Sequence, residues 1–337
     1  MPLTVAVTGP TGEIGLPLMT ELESDPAVGA VRGMARRAFD PAGEGWEKVA
    51  YRRGDILDRG SLAALFDGVD VAVHLAFAIF GDREETRRIN LEGSRNVFEA
   101  AIDAGVTRLV YASSVAAYGF HPDNPQPLTE TVPARGSEGF YYSAQKAELE
   151  ALLDDLLAGS GVDAYVFRPC IVAGPRATML IEKVVEGARL GDPLPALRRG
   201  LNRLPLLKPV LPDIGAPLQL VHHDDVARAL AAAIAGRGAP GAYNLAGDGW
   251  LGIGDVGRAL GWRTVPVPTA AVGLGAALAG RVSFLSPQLE WATALRVPVL
   301  MDTAKARREL DWTPRFDADE TLIQTAVSAR EAGLLLH

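Results

Sequence analysis

The chain has 337 residues, of which 48% are hydrophobic and 22% charged, and its formal net charge is −8. This is a globular composition, and an acidic chain without a basic run argues against nucleic acid or an anionic membrane as a partner. The single cysteine, Cys170, excludes an internal disulfide and a cysteine-rich metal site. Residues 1–30 hold no long apolar stretch behind a basic start, so we expect no signal peptide and a cytoplasmic location. The most apolar segment, 269–280, is shorter than the roughly 20 residues that span a bilayer.

Apolar β-branched runs alternate with helical patterns along the first half of the chain. Strands are predicted at 3–9, 30–37, 49–55, 69–76, 106–114 and 162–169, and helices at 16–24, 61–68, 89–105 and 143–159. After Pro169 the pattern breaks up, and a strand followed by a helix returns at 219–236, with another strand at 241–247. This alternation predicts an α/β fold, a Rossmann-type doubly wound parallel sheet with a smaller, partly interleaved C-terminal region.

The segment "VAVTGPTGEIG", residues 5–15, places three glycines directly after the first strand. Gly9 permits a tight turn, Gly12 lets the backbone approach a bulky anion, and Gly15 lets the following helix pack closely on the strand. The helix N-terminus then presents N–H groups to a phosphate. We therefore expect residues 1–170, with about 219–247, to form an NAD(P)-binding domain, and 171–218 with 248–337 to form the substrate-binding region.

Further motifs follow in a fixed order. They are "GDILD" (54–58), "VHLA" (73–76), "NLEGSRN" (90–96), "YASSVAAYG" (111–119), "YSAQK" (142–146), "FRPCIVAGP" (167–175) and "HHDDVARAL" (222–230). With the TGxxGxxG motif, they make most of residues 3–235 resemble the extended branch of the short-chain dehydrogenase/reductase superfamily, the NAD-dependent epimerase/dehydratase family. The resemblance implies a homodimer and a catalytic trio of Ser114, Tyr142 and Lys146. It also implies these cofactor contacts: Gly9, Thr11, Gly12, Glu13, Ile14, Gly15, Asp55, Ile56, Leu75, Ala76, Asn90, Ala112, Tyr142, Lys146, Pro169 and Cys170.

Tyr142 and Lys146 are four residues apart, so a helix places both on one face. A free tyrosine has a pKa near 10, and we expect the lysine ammonium to lower the pKa of Tyr142 toward neutrality. Ser114 would hold the substrate oxygen while Tyr142 gives or takes the proton. The resemblance implies that Lys146 also bonds the nicotinamide ribose. Hydride transfer itself belongs to the cofactor.

The end of the second predicted strand indicates which cofactor is used. An NAD enzyme usually has an acidic residue there for the ribose 2′-OH, but this chain has Ala35 followed by Arg36 and Arg37. Two guanidiniums suit a 2′-phosphate, because arginine binds phosphate as a bidentate fork. We therefore predict NADP(H), with NAD(H) possible and Asp40 as an alternative partner for a 2′-OH.

This chain differs from the family's best-known members at positions that help to determine which reaction those enzymes catalyse. Val115 and Ala116 replace the acidic pair that sugar 4,6-dehydratases carry, and Ile171 and Leu218 stand where nucleotide-sugar epimerases hold the diphosphate. The first hypothesis is a reductase or dehydrogenase for a largely apolar small molecule, and the alternative is a C4 epimerase. Cations that could compensate in an epimerase are Arg176, Lys183, Arg189, Arg198, Arg199 and Arg203. The intact catalytic trio argues against a third hypothesis, a non-catalytic nucleotide sensor.

Several histidines could be mistaken for metal ligands. His222 and His223 precede Asp224 and Asp225, and we interpret these four residues as a hydrogen-bonded junction between a strand and a helix. His74 is interpreted as a strand-end histidine of the cofactor domain. We therefore predict no metal site.

Overall fold

The computed structural model describes residues 1–79, 81–177, 181–182, 210–213, 215–266 and 297–335. Its strands are β1 (Leu3–Thr8), β2 (Val28–Ala35), β3 (Val49–Arg53), β4 (Val71–His74), β5 (Arg108–Ala112), β6 (Asp163–Pro169), β7 (Ile171–Ala173), β8 (Val210–Asp213), β9 (Leu220–His222), β10 (Gly241–Leu245) and β11 (Arg263–Pro266). Its α-helices are α1 (Gly15–Ser24), α2 (Arg59–Phe66), α3 (Arg83–Arg87), α4 (Ser94–Asp103), α5 (Tyr141–Leu157), α6 (His223–Ile234), α7 (Ile253–Leu260), α8 (Ala304–Glu309) and α9 (Ala318–Glu331). Residues Arg88–Gly93 form a π-helical turn that leads into α4.

Seven parallel strands form the central sheet in the order β10-β6-β5-β4-β1-β2-β3. The chain turns back after β3 to place β4 on the other side of β1, which is the topology of a doubly wound sheet. The predicted fold class is confirmed. Two short pairs lie outside this sheet, because β7 pairs with β9 and β8 with β11.

The strand pattern buries side chains on both faces of the sheet. On β1, Val5 and Val7 join the cluster that contains Leu18 of α1, while Ala6 between them joins the cluster of Leu62 on α2. Successive strand residues point to opposite faces, so a fully apolar strand is explained by helices on both sides. The carboxyl ends of the strands then meet along one edge, where the loops carry the site.

His74 ends β4 and connects three elements beneath that edge. Its Nδ1 is 2.7 Å from Thr8 Oγ1 on β1, and its Nε2 is 2.8 Å from Ser94 Oγ on α4. Burial, helped by the nearby Lys146 charge, lowers the pKa of His74 to about 3. The ring is therefore neutral at ordinary pH and has a structural role, as the sequence predicts.

Within the described residues, no helix is both long enough and apolar enough to cross a membrane. The apolar segment at 269–280 lies outside the described residues.

Candidate active site

Two of the three loop glycines are required by the fold itself. Gly9 has a φ of +77°, and a Cβ there would lie 2.8 Å from the amide nitrogen of Ala76. A Cβ on Gly15 would overlap the carbonyl oxygen of Gly9 and lie 2.6 Å from the carbonyl carbon of Pro10. Both contacts are with backbone, which cannot move aside. These two positions therefore fix the turn between β1 and α1.

Gly12 is different, because the fold leaves room for a side chain there. A Cβ would meet only the carbonyl oxygen of Gly9 among the described atoms, at an ordinary 3.5 Å. Gly12 faces a cavity, and α1 begins three residues later with no side-chain hydrogen bond capping its N-terminus. A surface without a Cβ next to an uncapped helix start fits the pyrophosphate of a dinucleotide.

Ser114 and Tyr142 come together at the edge of the sheet. Ser114 directly follows β5, and its Oγ accepts a hydrogen bond from the amide of Ala116 at 3.2 Å. Tyr142 is the second residue of α5, and its side chain is hydrogen-bonded to that of Ser114. Their relative exposures are 8% and 9%, so both are covered except where they line the cavity.

The pKa of Tyr142 moves in the direction opposite to the one expected from its spacing to Lys146. Burial raises it to about 12, and the hydrogen bond with Ser114 only partly opposes this. Lys146 is turned to other partners, because its Nζ donates to the carbonyl oxygen of Ala112 at 2.8 Å and lies 3.9 Å from the Phe77 ring centroid. Tyr142 is therefore protonated at neutral pH.

Lys146 is itself strongly perturbed by its surroundings. Its residue exposure is 3%, and desolvation lowers its pKa to about 7, while the charge of Glu150 acts in the opposite direction. A lysine that titrates near neutrality in a cavity is typical of a functional site.

A cavity of about 320 Å³ joins the glycine loop to the predicted catalytic trio. Its wall includes many of the predicted contacts, namely Gly9, Gly12, Glu13, Ile14, Gly15, Leu75, Ala112, Ser114, Tyr142, Lys146, Pro169 and Cys170. Four of its apolar members, Val115, Ala116, Ile171 and Leu218, were singled out in the sequence as substrate-site positions. The sequence did not single out the others, which are Phe77, Ile79, Phe120, Val172, Pro217, Val297 and Val299. Most of the wall is thus aliphatic or aromatic. Burial raises the pKa of the Cys170 thiol far above its ordinary range, so this thiol stays protonated at neutral pH.

Seven predicted cofactor contacts lie outside this wall: Thr11, Arg36, Arg37, Asp55, Ile56, Ala76 and Asn90. The Asn90 side chain is hydrogen-bonded within the protein, and its contact with the cofactor stays a prediction. Its Oδ1 accepts from the amide of Ala78 at 2.8 Å, and its Nδ2 donates to the Ala78 carbonyl at 2.9 Å and to Gln145 Oε1 at 2.8 Å. Asn90 is fully buried and holds the loop after β4 against α5.

The other two positions of the NxxGxxN motif support the loop after β3. Asn96 Nδ2 donates to the carbonyl oxygen of Ile56 at 3.2 Å. A Cβ on Gly93 would lie 2.6 Å from the Ile56 side chain, so glycine permits this close approach. Asp55 Oδ1 accepts from the amide of Leu57 at 3.0 Å. The motif therefore positions two loops of the site from behind.

Arg36 and Arg37 are exposed beyond the end of β2. Within the part of the chain that the structure describes, neither has an ion-pair partner. Asp40, the alternative ribose partner, instead begins a short 3₁₀ turn, where its Oδ1 accepts from the amide of Ala42 at 3.1 Å.

A buried polar network behind the site was not found from the sequence. Glu150 lies one turn beyond Lys146, accepts from Ser113 Oγ at 2.5 Å, and pairs with Arg168 at 2.5 Å. The Arg168 guanidinium lies 4.4 Å from the Tyr118 ring centroid, and the Tyr118 hydroxyl donates to Asn244 Oδ1 at 2.7 Å. The only sequence signal was a carboxylate four residues after Lys146.

The histidine pair lies at the start of α6. The possible ligand atoms of His222, His223 and Asp224 are all within 4.8 Å of one another. However, His222 Nδ1 accepts from the Asp224 amide at 3.2 Å, His223 Nε2 accepts from the Arg176 amide at 3.1 Å, and His223 Nδ1 lies 2.7 Å from Asp224 Oδ1. These contacts support a hydrogen-bonded junction, and the absence of a metal stays a prediction.

One of the cations proposed to compensate in an epimerase is described. Arg176 pairs with Glu44 at 3.8 Å and is not among the residues of the cavity wall. Lys183, Arg189, Arg198, Arg199 and Arg203 lie outside the described residues.

Comparisons with known proteins show which family, relatives and solved structure this chain is similar to. The model of the NAD dependent epimerase/dehydratase family matches residues 5–246. The protein y4nG of Sinorhizobium fredii is 25% identical over 333 residues, which cover 96% of this chain and 77% of that protein. Sterol demethylase protein B of Methylococcus capsulatus is 32% identical over 178 residues, 51% of this chain and 52% of its own length. The crystal structure of gox2253 superposes with a TM-score of 0.77 at 26% identity, covering 99% of both chains.

Proposed function

Because the chain belongs to the NAD-dependent epimerase/dehydratase family, whose extended short-chain dehydrogenase/reductase members are NAD(P)-dependent enzymes, we propose that it is an NADP(H)-dependent oxidoreductase. It transfers a hydride between nicotinamide and the carbonyl or secondary alcohol of a largely apolar small molecule. The observation that supports this most directly is the hydrogen-bonded Ser114–Tyr142 pair at the wall of a mostly apolar cavity.

The residues that would hold the cofactor indicate where each part of it would bind. The glycine loop and the uncapped start of α1 would hold the pyrophosphate, with Gly12 giving the close approach. Leu75, Pro169 and Cys170 would flank the nicotinamide half. When bound, nicotinamide supplies or accepts the hydride.

The chain's own residues handle the proton. Tyr142 keeps its proton at neutral pH because burial raises its pKa to about 12. It is therefore suited to act as the general acid in the reduction of a carbonyl, where its Oη gives the proton to the substrate oxygen. Ser114 Oγ lies beside it and would hydrogen-bond the same oxygen. This step leaves Tyr142 as the phenolate, which must take up a proton before the next turnover; in the opposite direction the same phenolate would act as the general base.

The wall supports an apolar substrate over a nucleotide sugar. Ile171 and Leu218 line the cavity at the positions where the family's sugar enzymes hold a diphosphate. These two aliphatic side chains cannot pair with a diphosphate, and desolvating an unpaired charge costs several kcal/mol or more. One relative is named as a sterol demethylase protein, and an apolar ring system of that kind is consistent with such a wall.

Arg36 and Arg37 support NADP(H) over NAD(H). Both guanidiniums are exposed at the end of β2, and no described carboxylate neutralises them. Ala35 stands in the position that carries the acidic residue in NAD enzymes.

The test is a kinetic one with a matched pair of variants. Purified protein is given NADPH and a panel of cyclic apolar ketones, and NADPH consumption is followed with product analysis. We expect Tyr142→Phe to abolish turnover while NADPH still binds, because only the proton donor is removed. Tyr141→Phe is the control, since the Tyr141 hydroxyl donates to the Ile79 carbonyl outside the chemistry and turnover should persist. Turnover that survives in Tyr142→Phe would contradict the mechanism. C4 inversion of a nucleotide sugar without net NADPH consumption would replace the proposed function by an epimerase.

A further inference from the structure

The end of β3 holds the backbone of the loop that carries Arg36 and Arg37. The Tyr51 hydroxyl donates to the carbonyl oxygen of Ala35 at 3.3 Å and to that of Arg37. The Arg53 Nε donates to the carbonyl oxygen of Arg36 at 2.9 Å. Three successive carbonyls are therefore bonded from one neighbouring strand, and the loop is fixed before any ligand arrives.

Arg53 itself belongs to this end of the sheet. It is the register partner of Ala35, so the two residues lie side by side on adjacent strands. Its Nε donates to the loop at the Arg36 carbonyl, and this bond fixes the plane of the guanidinium. Within the described chain, neither of its Nη atoms has a hydrogen bond. Arg53 is exposed, as are Arg36 and Arg37.

The local charge balance is unfavourable without an anion. Across the described residues, none of Arg36, Arg37 and Arg53 forms an ion pair. The nearest acidic residues in sequence, Asp40 and Asp55, each accept a backbone N–H within their own turns. Like charges grouped in this way repel one another, and a bound dianion relieves the repulsion.

We propose that Arg53 binds the 2′-phosphate of the dinucleotide together with Arg36 and Arg37, and is a determinant of cofactor specificity. This inference rests on the proposed preference for NADP(H). A guanidinium whose Nε is already held presents its two Nη groups as a preorganised fork, which matches the oxygens of a phosphate. Of the two cofactors, only NADP(H) carries the phosphate that the two Nη groups would bind, so these groups discriminate between the two cofactors.

Arg52 provides a matched control on the same strand. It is the register partner of Met34, it is also exposed, and it has no ion pair within the described residues. Neighbouring residues in a strand point to opposite faces of the sheet, so Arg52 does not share the face of Arg53. Arg52→Ala removes the same charge from almost the same place without removing the fork.

The experiment measures affinity for NADP⁺, NAD⁺ and 2′,5′-ADP by calorimetry on nucleotide-free full-length protein. In Arg53→Ala we expect NADP⁺ and 2′,5′-ADP to bind about tenfold more weakly, because about 1.4 kcal/mol of charge-assisted hydrogen bonding is lost. NAD⁺ affinity should change by less than about twofold. Arg52→Ala should leave all three affinities within about twofold of the wild type, and Arg53→Lys should recover part of the loss.

Three results would overturn the inference, and they differ from one another. If Arg53→Ala weakens NAD⁺ and NADP⁺ equally, Arg53 only tethers the loop. If wild type prefers NADP⁺ and Arg53→Ala keeps that preference, the inference fails while the proposed cofactor stands. If wild type itself prefers NAD⁺, the proposed cofactor fails, and Arg53 has no 2′-phosphate to bind.

Discussion

Replacing Gly12 by alanine tests whether this glycine is required for folding or for nucleotide binding. In the folded chain the new Cβ would have one close neighbour among the described atoms, the carbonyl oxygen of Gly9 at 3.5 Å, which is an ordinary contact. Gly12 does not have a left-handed backbone, so alanine fits without strain. The variant should therefore fold.

Gly12→Ala should make the folded chain slightly more stable but should weaken nucleotide binding. An alanine at a compatible position reduces the freedom of the unfolded chain and stabilises by about 0.4–1 kcal/mol. The same methyl group would occupy the space where the pyrophosphate approaches the backbone. Overpacking of one methyl group costs about 1–3 kcal/mol, which corresponds to a loss of roughly 5- to 150-fold in nucleotide affinity.

Thermal unfolding without nucleotide measures the expected change in stability. Calorimetric titration with NADPH measures the expected loss of affinity. Gly43→Ala is the matched control, because a Cβ there meets no described atom within 4 Å and Gly43 is not among the described residues of the cavity wall. Gly15→Ala is the contrasting variant, since its Cβ would overlap the Gly9 carbonyl oxygen and it should fail to fold stably. The reasoning is refuted if Gly12→Ala loses as much thermal stability as Gly15→Ala, or if it binds NADPH as tightly as Gly43→Ala does.

Two further predictions concern groups behind the site. The unfolding free energy of wild type should rise by several kcal/mol relative to Lys146→Met between pH 7 and pH 10. Lys146 has a pKa of about 7 when folded and 10.5 in its ordinary state, so the unfolded chain binds the extra proton across this range, and each pKa unit is worth about 1.4 kcal/mol. Urea unfolding of the nucleotide-free proteins measures this, and a difference that does not vary with pH would contradict it. Gly93→Ala should lose about 1–3 kcal/mol of stability, because its Cβ would lie 2.6 Å from the Ile56 side chain. The loss should be smaller when Ile56→Val is the background, and an equal loss in both backgrounds would show that this contact is not its cause.

The sequence predicted the fold well because local signals agreed with the overall topology. The apolar strands and the glycines at 9 and 15 have roles that depend on neighbours a few residues away, and the structure gives them those roles. Ser114 and Tyr142 could also be predicted as a pair, since the motifs that carry them fix both on the same edge of the sheet.

Other features depend on contacts that spacing does not reveal. The spacing between Tyr142 and Lys146 predicts that they share a helix face, but it does not show that burial outweighs the charge or that Ala112 takes the ammonium. The Asn90 motif indicates a buried polar residue without showing which loop it bonds. Val297 and Val299 fall in the region that the sequence assigns to substrate binding, but only the tertiary structure shows that they line this cavity.

Arg53 illustrates a different limit. An arginine at the exposed end of a strand is ordinarily a solvated charge, and its sequence position gives no reason to single it out. Its register with Ala35 and its bond to the Arg36 carbonyl are what connect it to the loop that carries Arg36 and Arg37.

The most direct test of the proposed oxidoreductase is the identity and exchange of its nucleotide. Freshly purified protein is denatured, the released nucleotide is identified by mass, and an emptied sample is titrated with NADPH and NADH. NADP(H) in the released fraction, or an empty site that binds NADPH more tightly than NADH, is the predicted result. Stoichiometric, tightly held NAD would contradict the NADP(H) assignment and favour an epimerase, which recycles one NAD within each turnover.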